Sequence, residues 1–117
     1  MHKASFALLT LPTLALAAVA GALFVKRDAT PAGPADNAFG VTASNADAGA
    51  MVSVDVLGVS LVQAAEALEA GDPVASNAQG QAVKAAGTAI VRGTAVHATA
   101  VGELVDVLLI PSAKAAA

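Results

Sequence analysis

The 117-residue chain contains no cysteine, no tryptophan and no tyrosine. The missing cysteine excludes disulfides, thiolate metal sites and thiol nucleophiles at once, while leaving the compartment open. Aromatic residues are confined to Phe6, Phe24 and Phe39. A platform for stacking bases is therefore lacking. The six Lys and Arg residues are dispersed and the formal charge is −3, so there is no basic patch, and nucleic acid is not an expected partner. Hydrophobic residues make up 56% of the chain, a figure inflated by alanine. The core must rest on Val, Leu and Ile, each contributing roughly 1.5–3 kcal/mol when buried. Length and composition fit one domain with a modest core, marginal on its own, for which oligomerisation is a standard remedy.

Side chains that carry chemistry are equally sparse. His2 sits beside the first residue and His97 follows an expected strand. Neither has the His-x-x-x-His or Glu-x-x-His spacing of a metal site. Ser60 in Gly58-Val-Ser-Leu-Val lacks the second glycine of a nucleophile elbow. Asp55 and Asp106 each lie between valines, so strand alternation places them on a solvated sheet face, within reach of a cross-strand pair with Arg92 or Lys84. Glu66, Glu69 and Asp72 form a small acidic cluster with too few oxygen ligands for calcium. No glycine-rich turn opens a helix that would cradle phosphate. The expected reading is a protein without enzymatic activity, cofactor or metal.

What the chain does have is an internal echo. Gly40-Val41-Thr42-Ala43, Gly49, Val52 and Val54 recur as Gly93-Thr94-Ala95-Val96, Gly102, Val105 and Val107, with each glycine and valine landmark displaced by 53 positions. Glycine permits the positive φ of a tight turn, and the alternating valines read as a half-buried strand leaving it. One structural unit used twice is predicted. Gly21-Ala22-Leu23-Phe24-Val25 can be set against Gly71-Asp72-Pro73-Val74-Ala75, an offset of 50, which starts the first unit at or before Gly21.

Along the chain, residues 23–27 predict a short strand and residues 30–37 a loop dense in turn chemistry. Residues 39–43 and 51–57 predict strands, with Val52, Val54 and Val56 on one face. Gly58 permits a bend before residues 59–63 continue in β register. Residues 61–70 fit either a helix of one or two turns or an irregular crossing, ended by Gly71-Asp72-Pro73. Residues 73–76 and 81–84 form a hairpin around Asn77-Ala78-Gln79-Gly80. Residues 89–96 and 103–110 are the final strands, and 112–117 a frayed tail. Short strands with turn signals every ~8–12 residues predict a small sandwich or barrel.

The N-terminus has two readings. His2, Lys3, the run Leu14-Ala-Leu-Ala-Ala-Val-Ala and the small-x-small Ala18-Val19-Ala20 resemble a secretory signal. A membrane span is not expected, because Thr10, Pro12 and Thr13 break the run short of the ~20 apolar residues required. Alternatively, Phe6-Ala-Leu-Leu-Thr-Leu-Pro-Thr-Leu is an extended segment or edge strand, its proline opposing helix. Such an arm finds a surface to cover. Cleavage after Ala20 would leave the first unit without the lead-in that residues 62–70 give the second, so the echo favours retention.

The ordered set Gly21, Phe24-Val25, Phe39-Gly40-Val41-Thr42-Ala43, Ala46-Asp47-Ala48-Gly49 and Val52-Ser-Val-Asp-Val-Leu-Gly58 resembles the tailed-phage capsid cement, or head-decoration, proteins. In the second half the resemblance continues through Ala70-Gly71-Asp72-Pro73-Val74, Asn77 to Val83, Arg92-Gly93-Thr94-Ala95 and Val101 to Leu109, spanning about residues 8–111. It implies a mostly β fold: a small β-barrel or β-tulip-like domain (21–111) with an extended N-terminal arm (1–20) and at most one short helix. It further implies a structural virion protein on the capsid exterior, a homo-oligomer with the trimer favoured, clamping neighbouring copies of the major capsid protein. Phe6, Leu8, Leu9, Leu11 and Leu14 of the arm are the expected contacts to capsid or sister subunit. Arg92 departs from the apolar pattern expected in its strand. The alternative is an exported bacterial β domain, secreted or periplasmic, with a cleaved signal. A mature mass starting near Gly21 would favour export, and one starting at Met1 or His2 the capsid protein.

Overall fold

The computed structural model describes residues 6–87 and 89–110. The predicted tail, 112–117, and the first five residues fall outside them. Eight strands are present among the described residues: β1 Phe6–Leu14, β2 Phe24–Val25, β3 Gly40–Thr42, β4 Met51–Gln63, β5 Pro73–Ser76, β6 Ala82–Lys84, β7 Gly93–Ala95 and β8 Leu104–Leu109. They form one antiparallel sheet in the order β2-β3-β4-β8-β7-β5-β6, with β1 on the other edge of β4. The sheet rolls into a nearly closed barrel, giving the small mostly-β fold that the sequence predicts.

No helix occurs among the described residues. Where helix and irregular crossing were both open, residues 64–70 cross irregularly. Ala64 bridges Ala82, and Leu68 exchanges backbone hydrogen bonds with Thr99 at 2.9 and 2.8 Å. These donors are satisfied across the chain instead of along a helix, and Leu68 is buried. β7 is shorter than the predicted 89–96 strand, although the Arg92 N–H still donates to the Val74 carbonyl at 2.7 Å.

The echo is a duplication of hydrogen-bonded registers. Val41 faces Asp55 and Thr42 faces Val54, as Thr94 faces Leu108 and Ala95 faces Val107, all four displaced by 53. The match also reaches upstream, at an offset of 49. β1 on the first half of β4 (Leu14 to Met51, Thr13 to Val52, Leu11 to Val54) repeats as the second half of β4 on β8 (Gln63 to Leu104, Val62 to Val105, Ser60 to Val107). β2 on β3 repeats as β5 on β7. This corrects the alignment of Gly21 with Gly71. The residue equivalent to Gly71 (φ 87°) is Ala22 (φ 61°), whose N–H donates to Thr42 as that of Gly71 does to Ala95. The offset rises from 49 to 53 because the β5–β6 hairpin is longer than the turn at Lys26–Ala29.

β4 therefore serves both units, closing the first and opening the second. Gly58 joins its halves at φ 103°, where a Cβ would fall 2.3 Å from the Phe6 carbonyl oxygen. Two apolar clusters follow. One holds Ala15, Val19, Val25, Val52 and Val54; the other holds Val62, Ala64, Leu68, Val74, Ala95, Val105 and Val107. Phe24, Ala32 and Val41 belong to the first unit in sequence, yet they pack into the second cluster.

Candidate functional site

β1 begins with a continuous apolar run, Phe6-Ala-Leu-Leu, and contains Pro12. A proline is tolerated here because the strand is an edge. Ala15 donates its N–H to Ala50 on the β4 side, so alternation turns positions 14 and 12 outward, and no ladder bond is lost at Pro12. All five predicted contact residues lie on this strand and are exposed: Phe6 at 69%, Leu8 at 83%, Leu9, Leu11 and Leu14 at 36–48%. Leu8 is skipped by the register with β4, between Ala7 facing Gly58 and Leu9 facing Leu57. Exposed Met51 stands opposite Leu14, so the apolar surface extends onto β4. Exposed Leu16 lengthens it by one further side chain beyond β1. An apolar edge strand this open is a candidate interaction surface. Beyond Leu14, the predicted arm turns inward, with Ala15 and Val19 buried in the first cluster.

Two carboxylates are not where alternation put them. Asp55 and Asp106, expected on a solvated face, are 5% and 2% exposed. Asp55 accepts hydrogen bonds from Thr10 Oγ1 at 3.0 Å and Ser60 Oγ at 2.8 Å. β1 covers this face, and the bend at Gly58 brings together residues 55 and 60, which strict alternation would separate. Asp106 holds His97 Nδ1 at 2.6 Å and accepts the His97 backbone N–H at 3.2 Å. That pair pins the turn after β7 onto β8. Both carboxylates thus hold chain segments together, with neither Arg92 nor Lys84 as partner.

Arg92, the apparent intruder in an apolar strand, is 2% exposed. Its Nε donates to Ser76 Oγ at 3.3 Å and its Nη2 to the Gly33 carbonyl at 3.0 Å and to the Asp36 carbonyl. Nη1 is buried without a partner. Burial holds its pKa below the usual arginine value, opposed by the nearby Asp36 charge. The guanidinium stitches the second unit to the loop of the first. No group of three or more potential metal ligands occurs among the described residues.

A small antiparallel barrel that presents an apolar edge strand has the form of an assembly module. The sequence profile of phage cement proteins matches residues 5–109, and the chain belongs to that family. Membership gives it a structural role in the phage capsid and a place in the virion. No curated protein matches the sequence. The crystal structure of the head fiber gp8.5 N base of bacteriophage phi29 is similar, with a TM-score of 0.70 and 20% identity over 92% of this chain and 98% of that one. At that identity, the likeness is one of fold.

Proposed function

We propose that the protein is a non-enzymatic cement that binds the outer surface of a tailed-phage capsid as a homotrimer and strengthens contacts between major capsid subunits. The observation that supports this reading is β1: a nine-residue strand held in the sheet on one edge, with its apolar side chains open to solvent. Phe6, Leu8, Leu9, Leu11 and Leu14 contact the major capsid protein or a sister subunit. Each copy buries a modest apolar area across a junction, and tethering through several copies multiplies these contacts by avidity. The repeated contacts oppose the pressure of the packaged genome.

The test is co-sedimentation with capsids that lack the protein. Leu8→Glu with Leu9→Glu places charge on the open strand away from both apolar clusters, and is expected to reduce occupancy at least tenfold with an unchanged far-ultraviolet spectrum. Undiminished occupancy by the folded variant would remove β1 from the interface.

A further inference from the structure

The duplication shows what covers each surface inside the chain, and therefore what its equivalents at the two ends leave open. The β2–β3 ladder has two faces. Val25 points into the cluster of its own unit, while Phe24 and Val41, joined by Ala32, are buried in the cluster of the next. The β5–β7 ladder repeats this pattern. Val74 and Ala95 point into their own cluster, and Pro73, Thr94 and Ala85 are the equivalents of Phe24, Val41 and Ala32. No third unit follows them within the described residues. Pro73 is exposed and Thr94 and Ala85 half-buried, where Phe24, Val41 and Ala32 are 0–1% exposed. None of the three carries a charge.

The receiving side is open only along the outer edge of β1. Val62 is fully buried in the cluster that receives Phe24, whereas its equivalent, Thr13, is half-buried; the equivalents of Ala64, Leu68 and Val105, namely Ala15, Val19 and Val52, are themselves buried. The outer edge of the second half of β4 is covered by Gly21 and Ala22: the Gln63 N–H donates to the Ala22 carbonyl at 2.8 Å and its Nε2 to the Gly21 carbonyl at 3.2 Å. The equivalent of Gln63 is Leu14, half exposed, with its N–H on the outward side of β1.

Resting on the capsid reading, we propose that a second copy of this chain docks head to tail: the outer face of its β5–β7 ladder (Pro73, Ala85, Thr94) covers the Leu11–Leu14 end of β1, as the β2–β3 ladder covers the second unit within one chain. The chain thereby contains its own oligomer contact as an internal junction. Because the two surfaces differ, the contact is heterologous, and repeating it closes a ring when the rotation per chain allows, as in a trimer. Two internal contacts are not repeated. Pro73 has no N–H to replace that of Phe24, which donates to Gly80, and Ala29 carries a Cβ where Gly80 has none. The copy is held by the ladder face and the edge at Leu14, with the turn contact missing. This assigns the Leu14 end of β1 to a sister subunit and leaves Phe6, Leu8 and Leu9 to the capsid.

A cysteine-free chain makes the test clean. Leu14→Cys combined with Ala70→Cys, the equivalent of Gly21, is treated with a short bis-maleimide in solution and on capsids. The expected result is a ladder of multiply linked chains from the double variant and none from either single variant. Light scattering of Thr94→Arg, changed only on the outer face, is expected to show one chain where the parent shows several. Capsid co-sedimentation runs in parallel. Binding without cross-linking in the double variant overturns the head-to-tail contact alone, as does cross-linking of Leu14→Cys by itself, which denotes an isologous pair. Cross-linking without capsid binding overturns the cement reading and leaves the contact standing.

Discussion

Gly40 and Gly93 occupy the same backbone slot in the two units. A Cβ at Gly40 would lie 2.3 Å from the Asp55 carbonyl oxygen and 2.7 Å from Val54 Cγ1; at Gly93 the corresponding atoms are the Leu108 oxygen at 2.2 Å and Val107 Cγ1 at 2.7 Å. In both places a short strand approaches the valine strand too closely for any side chain. Gly49 and Gly102 are paired differently: both have φ near 85° and open space where a Cβ would stand.

The two glycine classes therefore predict different costs. Gly40→Ala and Gly93→Ala each force backbone apart and are expected to cost about 3 kcal/mol, seen as a melting temperature lowered by roughly 10 °C or more. Gly49→Ala and Gly102→Ala meet only the left-handed backbone penalty, about 1 kcal/mol. Thermal and denaturant unfolding of the four variants checks this; equal losses across all four would refute the close approach.

Arg92 predicts a cost of another kind. Arg92→Ala leaves the Gly33 and Asp36 carbonyls without their donor and opens space beside Ser76. A loss of about 3 kcal/mol is expected, with faster amide exchange in residues 33–36. Arg92→Lys restores less than half, because an ammonium does not reproduce the planar fork that reaches Ser76 and both carbonyls. Full rescue by lysine would show that charge alone matters.

Asp55 predicts a local effect on β1. Its carboxylate ties Thr10 to Ser60. Asp55→Ala is expected to cost about 2 kcal/mol and to accelerate hydrogen exchange in β1 more than in β8; Thr10→Val costs about 1 kcal/mol with the same bias toward β1. Exchange that rises evenly over the sheet would deny the tie.

Much of this fold was legible because valine alternation and turn glycines act locally. The strand at 51–63, the 73–84 hairpin and the repeat at offset 53 each follow from period and turn chemistry. Failures arose where a distant segment lies on a face. Asp55 and Asp106 read as solvated because nothing near them in sequence announces that β1 and the His97 turn will cover them. Arg92 looked misplaced because its acceptors, the Gly33 and Asp36 carbonyls, are more than fifty residues away. Glycine is a misleading landmark at offset 50, because the positive φ at that point of the first unit belongs to Ala22. The apolar residues of β1 were legible as a surface-seeking segment; their pairing with β4 was not. That pairing alters what truncation would report. Removing residues 1–20 would delete Ala15 and Val19 from the first cluster along with the exposed strand, so single substitutions on β1 are the cleaner probe.

The most direct measurement is a cryo-electron microscopy map of the phage particle that resolves strands. The predicted result is a ring of copies on the outer surface over junctions between major capsid subunits, with Phe6, Leu8 and Leu9 of β1 against the capsid and Leu14 against the neighbouring copy. Copies inside the shell, or β1 facing solvent in the assembled particle, would contradict it.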